Sequence, residues 1–286
     1  MRKKIIFITL IAILVVSGLL GNARLWAASE DSEVAMEIVK KMKNILEPEK
    51  PSIRKVIMSV IVKGETVRKI IMGQTFKTFP DGKRMLLVML TPDDVKGIGY
   101  LIMERKNSPD IMFEYLPFIR RVRELSGAID PYASFFGTDF TYSDLGFINL
   151  KGNYSMMGEE VYEGTDAYKI EEKIPLHPVP FYSKIITWIA KDSMLPLRRD
   201  YYEASGELWK SELFKDTQLF EDMPMLKTMR IIMKDVQSNT STELQLSDSK
   251  YCGTLSDELF NPKNLPKVSE DPVWQPYCIF PVKEEK

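Results

Sequence analysis

Short β-forming runs separated by turn residues follow one another through most of this chain, and they constrain its fold more than any other feature. The runs are rich in Val, Ile, Met and aromatic residues, and Gly, Pro, Asn and Asp punctuate them. They cover residues 52–62, 66–79, 84–90, 98–104, 111–117, 167–174, 183–192, 195–204, 207–220, 226–237 and 240–251. The pattern predicts a mainly β protein with an antiparallel meander of about eleven strands. The segment between about Pro117 and Gly158 is predicted to be irregular.

One amphipathic helix is predicted before the strands, in the stretch DSEVAMEIVKKMKNILEP. Val34, Ile38, Met42 and Ile45 recur there at helical spacing, and Pro48 marks the end of the helix. A large open sheet leaves unpaired edges unless it curls or is covered. We therefore expect the sheet to curl strongly, with the helix against its concave face. The interior of the curl is then either filled by side chains or left as an apolar cavity.

The N-terminus has the pattern of a secretory signal peptide. A short basic region, MRKK, is followed by the uncharged stretch Ile5–Leu20 and then by small residues that include Gly21 and Ala23. A membrane anchor is the alternative, but a spanning helix needs roughly 20 apolar residues and this stretch is shorter. We predict that residues 1–28 are a signal peptide and that residues 29–286 form one exported domain.

The charge of the chain argues against a nucleic-acid partner. The whole chain has a net charge of −1, and residues 1–28 contain four basic residues and no acid, so their removal leaves −5. Phosphate binding depends on a basic surface, which a mildly acidic exported protein lacks. Hydrophobic residues make up 44% of the chain, which supports a packed core.

The residue types that carry enzyme chemistry are sparse. His177 is the single histidine, so neither a Ser–His–Asp triad nor a histidine zinc site can be assembled. Adjacent carboxylates such as Glu171 and Glu172 point to opposite sides of an extended strand. The sequence predicts no enzyme, no metal and no cofactor; a hydrolase built from distant carboxylates is the alternative. Cys252 and Cys278 are predicted to form a disulfide in an oxidising compartment, with two free thiols as the alternative.

Arg120, Arg121 and Arg123 crowd together in the stretch LPFIRRVRELSG. One interpretation is that they form ion pairs with neighbours such as Glu114. The other is that their guanidinium groups bind an anionic lipid headgroup or an acidic patch on a partner. Sixteen methionines also occur, and this soft side chain suits either an adaptable apolar ligand site or gaps in an ordinary core.

The stretch LPFIRRVRELSG, followed by SFFGTDFTYSDL, resembles the LolA-like family of outer-membrane lipoprotein-sorting proteins. It is most similar to the larger branch of that family, which is associated with resistance-nodulation-division type exporters. Pro196, the turn at Gly206, the stretch MRIIMKDVQSNTSTELQLSDSKY and the closing DELFNPKNL follow in the order typical of the family. The resemblance extends from about residue 32 to residue 267.

This resemblance implies a strongly curved, unclosed β-barrel with a helical lid over an apolar cavity. It implies a monomeric periplasmic carrier that binds the acyl chains of a lipoprotein or another lipid and shuttles them toward the outer membrane. Its partners would be an inner-membrane transporter and an outer-membrane acceptor, and it would be soluble in the periplasm or peripheral to the outer membrane. A non-catalytic accessory or scaffold subunit of an exporter is the alternative function.

Strand alternation and the resemblance together suggest a set of ligand-binding residues. Those expected to line the cavity or its rim are Met58, Val60, Met72, Met89, Met103, Phe113, Phe135, Phe136, Phe140 and Tyr142. Residues 117–145 are expected to form the rim or lid, with Gly137 giving it freedom to move. The three arginines are expected to contact a headgroup or a partner.

Overall fold

The computed structural model describes residues 30–105, 110–125, 133–148, 150, 152–174, 182–221 and 223–270. They form thirteen strands in one antiparallel sheet. The strands are β1 (Ser52–Val62), β2 (Glu65–Phe79), β3 (Gly82–Thr91), β4 (Gly99–Met103), β5 (Ile111–Leu116), β6 (Arg121–Glu124), β7 (Asn153–Tyr162), β8 (Thr165–Lys173), β9 (Tyr182–Ala190), β10 (Pro196–Glu203), β11 (Leu208–Phe220), β12 (Met223–Asp235) and β13 (Thr240–Tyr251).

The sheet consists of two meanders joined at a seam between the first and last strands. Strands β1 to β6 pair in sequence, as do β7 to β13, and β1 pairs with β13, so that Met58 lies opposite Leu244. Among the described residues, β6 and β7 form the two edges of the sheet and do not pair with each other. Tyr100 on β4 and Tyr201 on β10 nevertheless share one apolar cluster. Strands so far apart in the sheet share a cluster because the sheet curls, which confirms the predicted unclosed barrel.

Strand β6 and the first part of β7 lie in the segment that was predicted to be irregular, so that prediction was wrong there. Strand β6 has the sequence RVRE and is mostly exposed, and β7 contains a register shift at Gly158, where φ is +125°. Both are edge strands. Edge strands are commonly charged or bulged because these features discourage pairing with another chain, and the same features hide them from pattern analysis.

The predicted N-terminal helix, α1, covers residues 30–46. Its apolar stripe, which includes Ala35, Ile38 and Val39, packs against Ile170 on β8 and Ile189 on β9. The helix therefore lies on the concave face, over the half of the sheet that contains β7 to β9, as predicted. No helix in the described part of the chain is both long and apolar enough to span a membrane.

The convex face of the first meander is covered by the C-terminal part of the chain. Two 3-10 turns, Asp257–Phe260 and Pro262–Asn264, lead into the short helix α2 (Leu265–Glu270). Apolar side chains of this segment, including Phe260 and Val268, bury Leu86, Leu101 and Tyr115. Strands β3 to β5 are consequently buried on both faces, because the concave core lies on their other side. A helical turn at 257–267 was predicted, and it has this covering role.

Gly82 at the start of β3 permits close contact with the end of β4. Its φ is +148°, and a Cβ atom placed there would lie 2.3 Å from the backbone oxygen of Glu104. We expect Gly82→Ala to lower the free energy of unfolding by about 3 kcal/mol, since backbone strain and a backbone clash both act. Gly64→Ala is the matched control, because Gly64 also has a positive φ, +84°, but faces open space. It should cost only about 1 kcal/mol in urea unfolding; equal losses would contradict the close contact.

Candidate functional site

A cavity of about 170 Å³ lies between the concave face of the sheet, the end of α1 and residues 139–148, which we name the cover segment. Its strand wall comes from both sides of the seam. The apolar wall residues are Val56, Met58, Met72, Phe76, Met85 and Leu87 from the first meander and Phe214, Leu226, Met229, Ile231, Leu244 and Leu246 from the second. Strand alternation brings every second side chain of β1 and β13 to this face.

The cover segment places apolar side chains over the cavity. Phe140, Leu145 and Phe147 line it from above, and the ring of Phe147 meets that of Phe76 edge-on, with centroids 6.4 Å apart. The segment has a defined backbone because the 3-10 turn Tyr142–Leu145 begins with a capping box, in which the Thr141 N–H donates to Asp144 Oδ2 at 2.7 Å. The cover over the cavity is therefore this folded segment together with α1.

Polar contacts fasten both ends of the cover segment. At its start, the Asp139 N–H donates to Thr242 Oγ1 at 2.9 Å, and the same hydroxyl donates back to Asp139 Oδ2 at 2.7 Å. At its end, the Ile148 N–H donates to Glu47 Oε1 at 2.6 Å, while Lys43 Nζ donates to the Ile148 carbonyl at 2.8 Å. The first pair of contacts ties the cover to β13, and the second ties it to α1.

A buried ion pair holds the middle of the cover segment. Asp144 lies 3.6 Å from Lys210 Nζ, and both side chains are buried. The Tyr182 hydroxyl also donates to Asp144 Oδ1 at 3.0 Å. Burial lowers the pKa of Lys210, and the carboxylate of Asp144 opposes that shift. A buried lysine depends strongly on such a partner, because an unpaired charge in the interior is costly.

Charged side chains interrupt the apolar wall on β1 and on β10 and β11. Arg199 Nη1 lies 3.6 Å from Glu212 Oε2, which accepts a 2.6 Å hydrogen bond from the Tyr201 hydroxyl. Burial raises the pKa of Glu212, and Arg199 opposes this shift. On β1, Arg54 donates to Gln74 Oε1 and stacks on Phe76, and burial lowers its pKa to about 10. The cavity is thus mainly apolar, with charged side chains on β1, β10 and β11.

An aromatic cluster adjoins the start of the cover segment. The rings of Phe135, Phe136 and Tyr142 surround Tyr100, with centroids 5.4, 6.2 and 6.2 Å from it. The Tyr100 hydroxyl donates to Glu114 Oε1 at 2.7 Å, and Glu114 is buried. We refer to Tyr100, Phe135, Phe136 and Tyr142 as the aromatic cluster.

Comparisons with known proteins agree with this architecture. A family model described as “Uncharacterized protein” matches residues 81–267. Two solved structures are each 26% identical to the chain, with a TM-score of 0.74, and each match covers 82% of this chain and 99% of the other. One is a Vibrio parahaemolyticus domain named for outer membrane lipoprotein sorting, and the other is a DUF1329 family protein from Desulfovibrio piger. This chain belongs to the LolA-like family.

A third structure, a LolA superfamily protein from Nitrosomonas europaea, shares the LolA-like fold at 18% identity and a TM-score of 0.61. That match covers 79% of this chain and 97% of the other. No curated protein matches this chain significantly.

The residues predicted for the ligand site of this LolA-like protein fall into three groups. Met58, Met72 and Phe140 line the cavity. Met89 belongs to the concave apolar cluster, Val60 is buried two residues beyond Met58 on β1, and Phe135, Phe136 and Tyr142 belong to the aromatic cluster beside the cavity.

Met103 and Phe113 form the third group and require a correction. They pack in the cluster beneath α2, on the convex face. Alternation along β4 and β5 instead directs Tyr100, Ile102 and Met112 to the concave side. In β4 and β5 the predicted residues were therefore each one position away from a side chain that faces the concave side, so the choice of face was wrong there.

The remaining predicted residues are placed as follows. Arg123 donates to Glu114 Oε2 at 2.6 Å, which confirms the ion-pair interpretation for that arginine. Arg120 and Arg121 are exposed at the β5–β6 turn. Cys252 is half-buried, while Cys278 and His177 lie outside the described residues, so the disulfide stays a prediction. Within the described ranges, no group of three or more His, Cys, Asp or Glu residues is arranged to hold a metal ion.

Sequence reasoning missed the charged residues that line the LolA-like cavity, namely Glu47, Arg54, Asp144, Arg199 and Glu212, and also missed Phe147. A usable signal existed for Arg54 and Glu212. Arg54 precedes Val56 by two residues, and Glu212 precedes Phe214 by two, so each charge shares a strand face with apolar residues. A charge on an otherwise apolar face is either paired inside the fold or functional.

We expect Asp144→Asn to destabilise the protein by about 3–5 kcal/mol, because Lys210 would be left buried without its carboxylate. Urea unfolding measures the loss. Glu37→Gln is the matched control, since Glu37 pairs with Lys40 on the exposed surface of α1 at 2.7 Å and should contribute little to stability. Adding Lys210→Met to Asp144→Asn should recover part of the loss. If the Asp144 and Glu37 variants lose the same stability, the buried pair does not hold the cover segment.

Glu172 on β8 should make stability depend on pH. Burial raises its pKa from 4.5 to about 7, although a hydrogen bond with Tyr154 and the charge of Arg199 oppose the shift. The unfolded chain loses this proton at lower pH than the folded protein, so stability should fall as pH rises from about 4.5 to about 7. Glu172→Gln should lack this fall and gain up to about 3 kcal/mol relative to the parent between pH 4.5 and pH 8.

Urea unfolding at several pH values tests this expectation. Glu124→Gln removes an exposed carboxylate and serves as the control. A difference between parent and Glu172→Gln that does not change with pH would contradict it.

Proposed function

We propose that this protein binds the acyl chains of a lipid or a lipoprotein in the cavity beneath the cover segment and carries them toward the outer membrane. The observation that carries the proposal is the cavity itself. Its strand wall is mainly apolar, with Arg54, Arg199 and Glu212 as charged interruptions, and its cover is a separate segment that lies outside the sheet. The proposal includes export through cleavage of residues 1–28, with residues 29–286 acting as one carrier domain in the periplasm.

The apolar wall supplies the binding energy in this proposal. Each buried methylene of an acyl chain contributes roughly 0.8 kcal/mol, so a chain of ordinary length offsets the cost of ordering it. Four of the wall residues are methionines, Met58, Met72, Met85 and Met229. Their flexible thioether side chains adapt to chains of different length and saturation.

The size of the cavity implies that the cover segment must move to admit cargo. Typical ligand sites have volumes of about 300–1,000 Å³, whereas this cavity measures about 170 Å³. Phe140, Leu145 and Phe147 of the cover occupy the space beside it. An acyl chain that replaced these side chains would keep the strand wall buried, so opening with cargo would expose little additional apolar surface.

The attachment of the cover segment is compatible with such a movement. It is fastened by the side chains of Asp139 and Asp144 and by two contacts at Ile148. Among the described residues, one isolated bridge, between Ser134 and Thr141, involves it, and the strand ladders do not. Its displacement would leave the thirteen-stranded sheet intact.

The relatives support a lipid cargo. The Vibrio parahaemolyticus domain, named for outer membrane lipoprotein sorting, matches 82% of this chain at 26% identity. We extend that function to this chain as part of the proposal, with an inner-membrane transporter as donor and an outer-membrane component as acceptor.

Two substitutions that change the cavity in opposite directions test the proposal. Phe147→Ala enlarges the cavity and should increase the affinity for dansylated undecanoic acid several-fold, because more of the chain can be buried. Val56→Phe fills the cavity and should reduce the affinity at least about tenfold, the equivalent of about 1.4 kcal/mol. Fluorescence titration measures both affinities, and circular dichroism confirms folding.

Phe79→Ala is the matched control, because Phe79 packs against Phe260 on the convex face, away from the cavity. It should leave probe affinity unchanged. Native mass spectrometry of the protein purified from its own periplasm should also detect bound lipid or acylated peptide. A ligand-free protein whose probe affinity responds to none of the cavity substitutions would refute the carrier function.

A further inference from the structure

The turn between β5 and β6 presents two large apolar side chains to solvent. It is a 3-10 turn, Pro117–Ile119, in which Phe118 is 75% exposed and Ile119 is 53% exposed. Phe118 is the most exposed large hydrophobic residue in the described part of the chain, and the others include Val161 at 66% and Val67 at 62%. We name residues 117–121 the hairpin tip.

The hairpin tip projects from a rigid base. Tyr115 pairs with Val122 and Leu116 with Arg121 across the hairpin, and Arg120 reverses the chain with a φ of +51°. The Arg120 N–H closes the turn by donating to the Pro117 carbonyl at 3.1 Å. Tyr115 is buried beneath α2, and its hydroxyl donates to Glu270 Oε1 at 2.6 Å. The exposure of Phe118 is therefore a fixed feature of the hairpin.

Positive charge surrounds the two apolar side chains. Arg120 and Arg121 are exposed, and no carboxylate of a described residue lies within ion-pair distance of either guanidinium. Arg123 is half-exposed and pairs with the buried Glu114. The tip is thus a cationic spot on a chain whose net charge is negative. Guanidinium groups bind phosphate bidentately. Aromatic side chains are enriched in the interface between lipid headgroups and acyl chains.

We propose that the hairpin tip docks this protein on membranes that contain anionic phospholipid. Phe118 and Ile119 enter the interfacial region, and Arg120 and Arg121 bind lipid phosphates. An anionic lipid surface attracts basic residues, and it can accommodate an inserted apolar side chain of any shape. A small apolar tip with adjacent cationic groups therefore fits such a surface. A stable protein interface requires about 800 Å² from each partner, far more than two side chains provide.

This docking is independent of the proposed cargo, although its position suits a carrier. Glu114 links the hairpin to the aromatic cluster, because it accepts hydrogen bonds from both Arg123 of the hairpin and Tyr100 of the cluster. Tyr142 of the aromatic cluster belongs to the cover segment, and Phe136 lies three residues before the start of that segment. Docking at the tip would therefore bring the start of the cover segment toward the membrane.

Co-sedimentation of the chain 29–286 with vesicles tests the proposal. The protein should bind phosphatidylcholine vesicles containing about one third phosphatidylglycerol, and bind pure phosphatidylcholine at least about tenfold more weakly. High salt should weaken the binding, since exposed charges are screened. Phe118→Ser with Ile119→Ser, and Arg120→Gln with Arg121→Gln, should each reduce binding to the anionic vesicles about tenfold or more.

Matched controls lie on other exposed parts of the chain. Val161→Ser removes an apolar side chain that is 66% exposed on β7, and Lys63→Gln with Lys69→Gln removes two exposed cations from the β1–β2 hairpin. Neither should change vesicle binding. Phe118→Trp should give a blue-shifted emission when anionic vesicles are added, because the indole enters the interface.

Absence of sedimentation with either vesicle would overturn the membrane assignment and leave a protein as the partner of the tip. Binding that is unchanged in both tip variants, or that occurs without a shift in Trp emission, would overturn it as well. Probe binding in the cavity, measured on the same variants, separates this result from the carrier function, since the tip residues do not line the cavity.

Discussion

The concave face of an open sheet must be shielded from water by something other than the sheet, and this requirement determines much of the structure. Thirteen strands curl without closing, so the apolar side chains that face inward have no opposing wall of strands. Helix α1 covers the side that contains β7 to β9, and the cover segment fills the space beside it. The cavity is the volume that these two pieces leave over the seam.

The two covers are held in different ways, and the difference suits their roles. Helix α1 packs through a continuous apolar stripe, which is costly to expose. The cover segment depends more on specific polar partners, such as Thr242 for Asp139 and Lys210 for Asp144. In the proposed function the cover segment is the part that moves, since it takes no part in the strand ladders of the described residues. On the convex side, α2 clamps β3 to β5 from the other face and keeps that half of the sheet rigid.

The sequence predicts the sheet well because strand alternation and turn residues are local signals. The eleven predicted runs correspond to β1–β5 and β8–β13, and the amphipathic spacing of α1 indicates its buried stripe correctly. Alternation divides a strand into two faces but does not say which is concave, since that depends on what covers each face. In β4 and β5 both faces are buried, so Met103 and Phe113 could not be distinguished from Ile102 and Met112 by hydrophobicity alone. The partners of Arg199 and Asp144 lie on other elements, and only the fold brings them together.

The seam has a consequence for how the chain is made. Val56 on β1 faces Leu246 on β13, so the floor of the cavity joins the first strand to the last of the thirteen. Strands so far apart in the sequence are expected to pair late in folding, because closing the long intervening chain costs entropy before any stabilising contact is made. Until β13 has been made, the edge of β1 that pairs with it has no partner strand. A chain truncated before β13 would keep this edge of β1 exposed, which favours aggregation over a smaller folded protein.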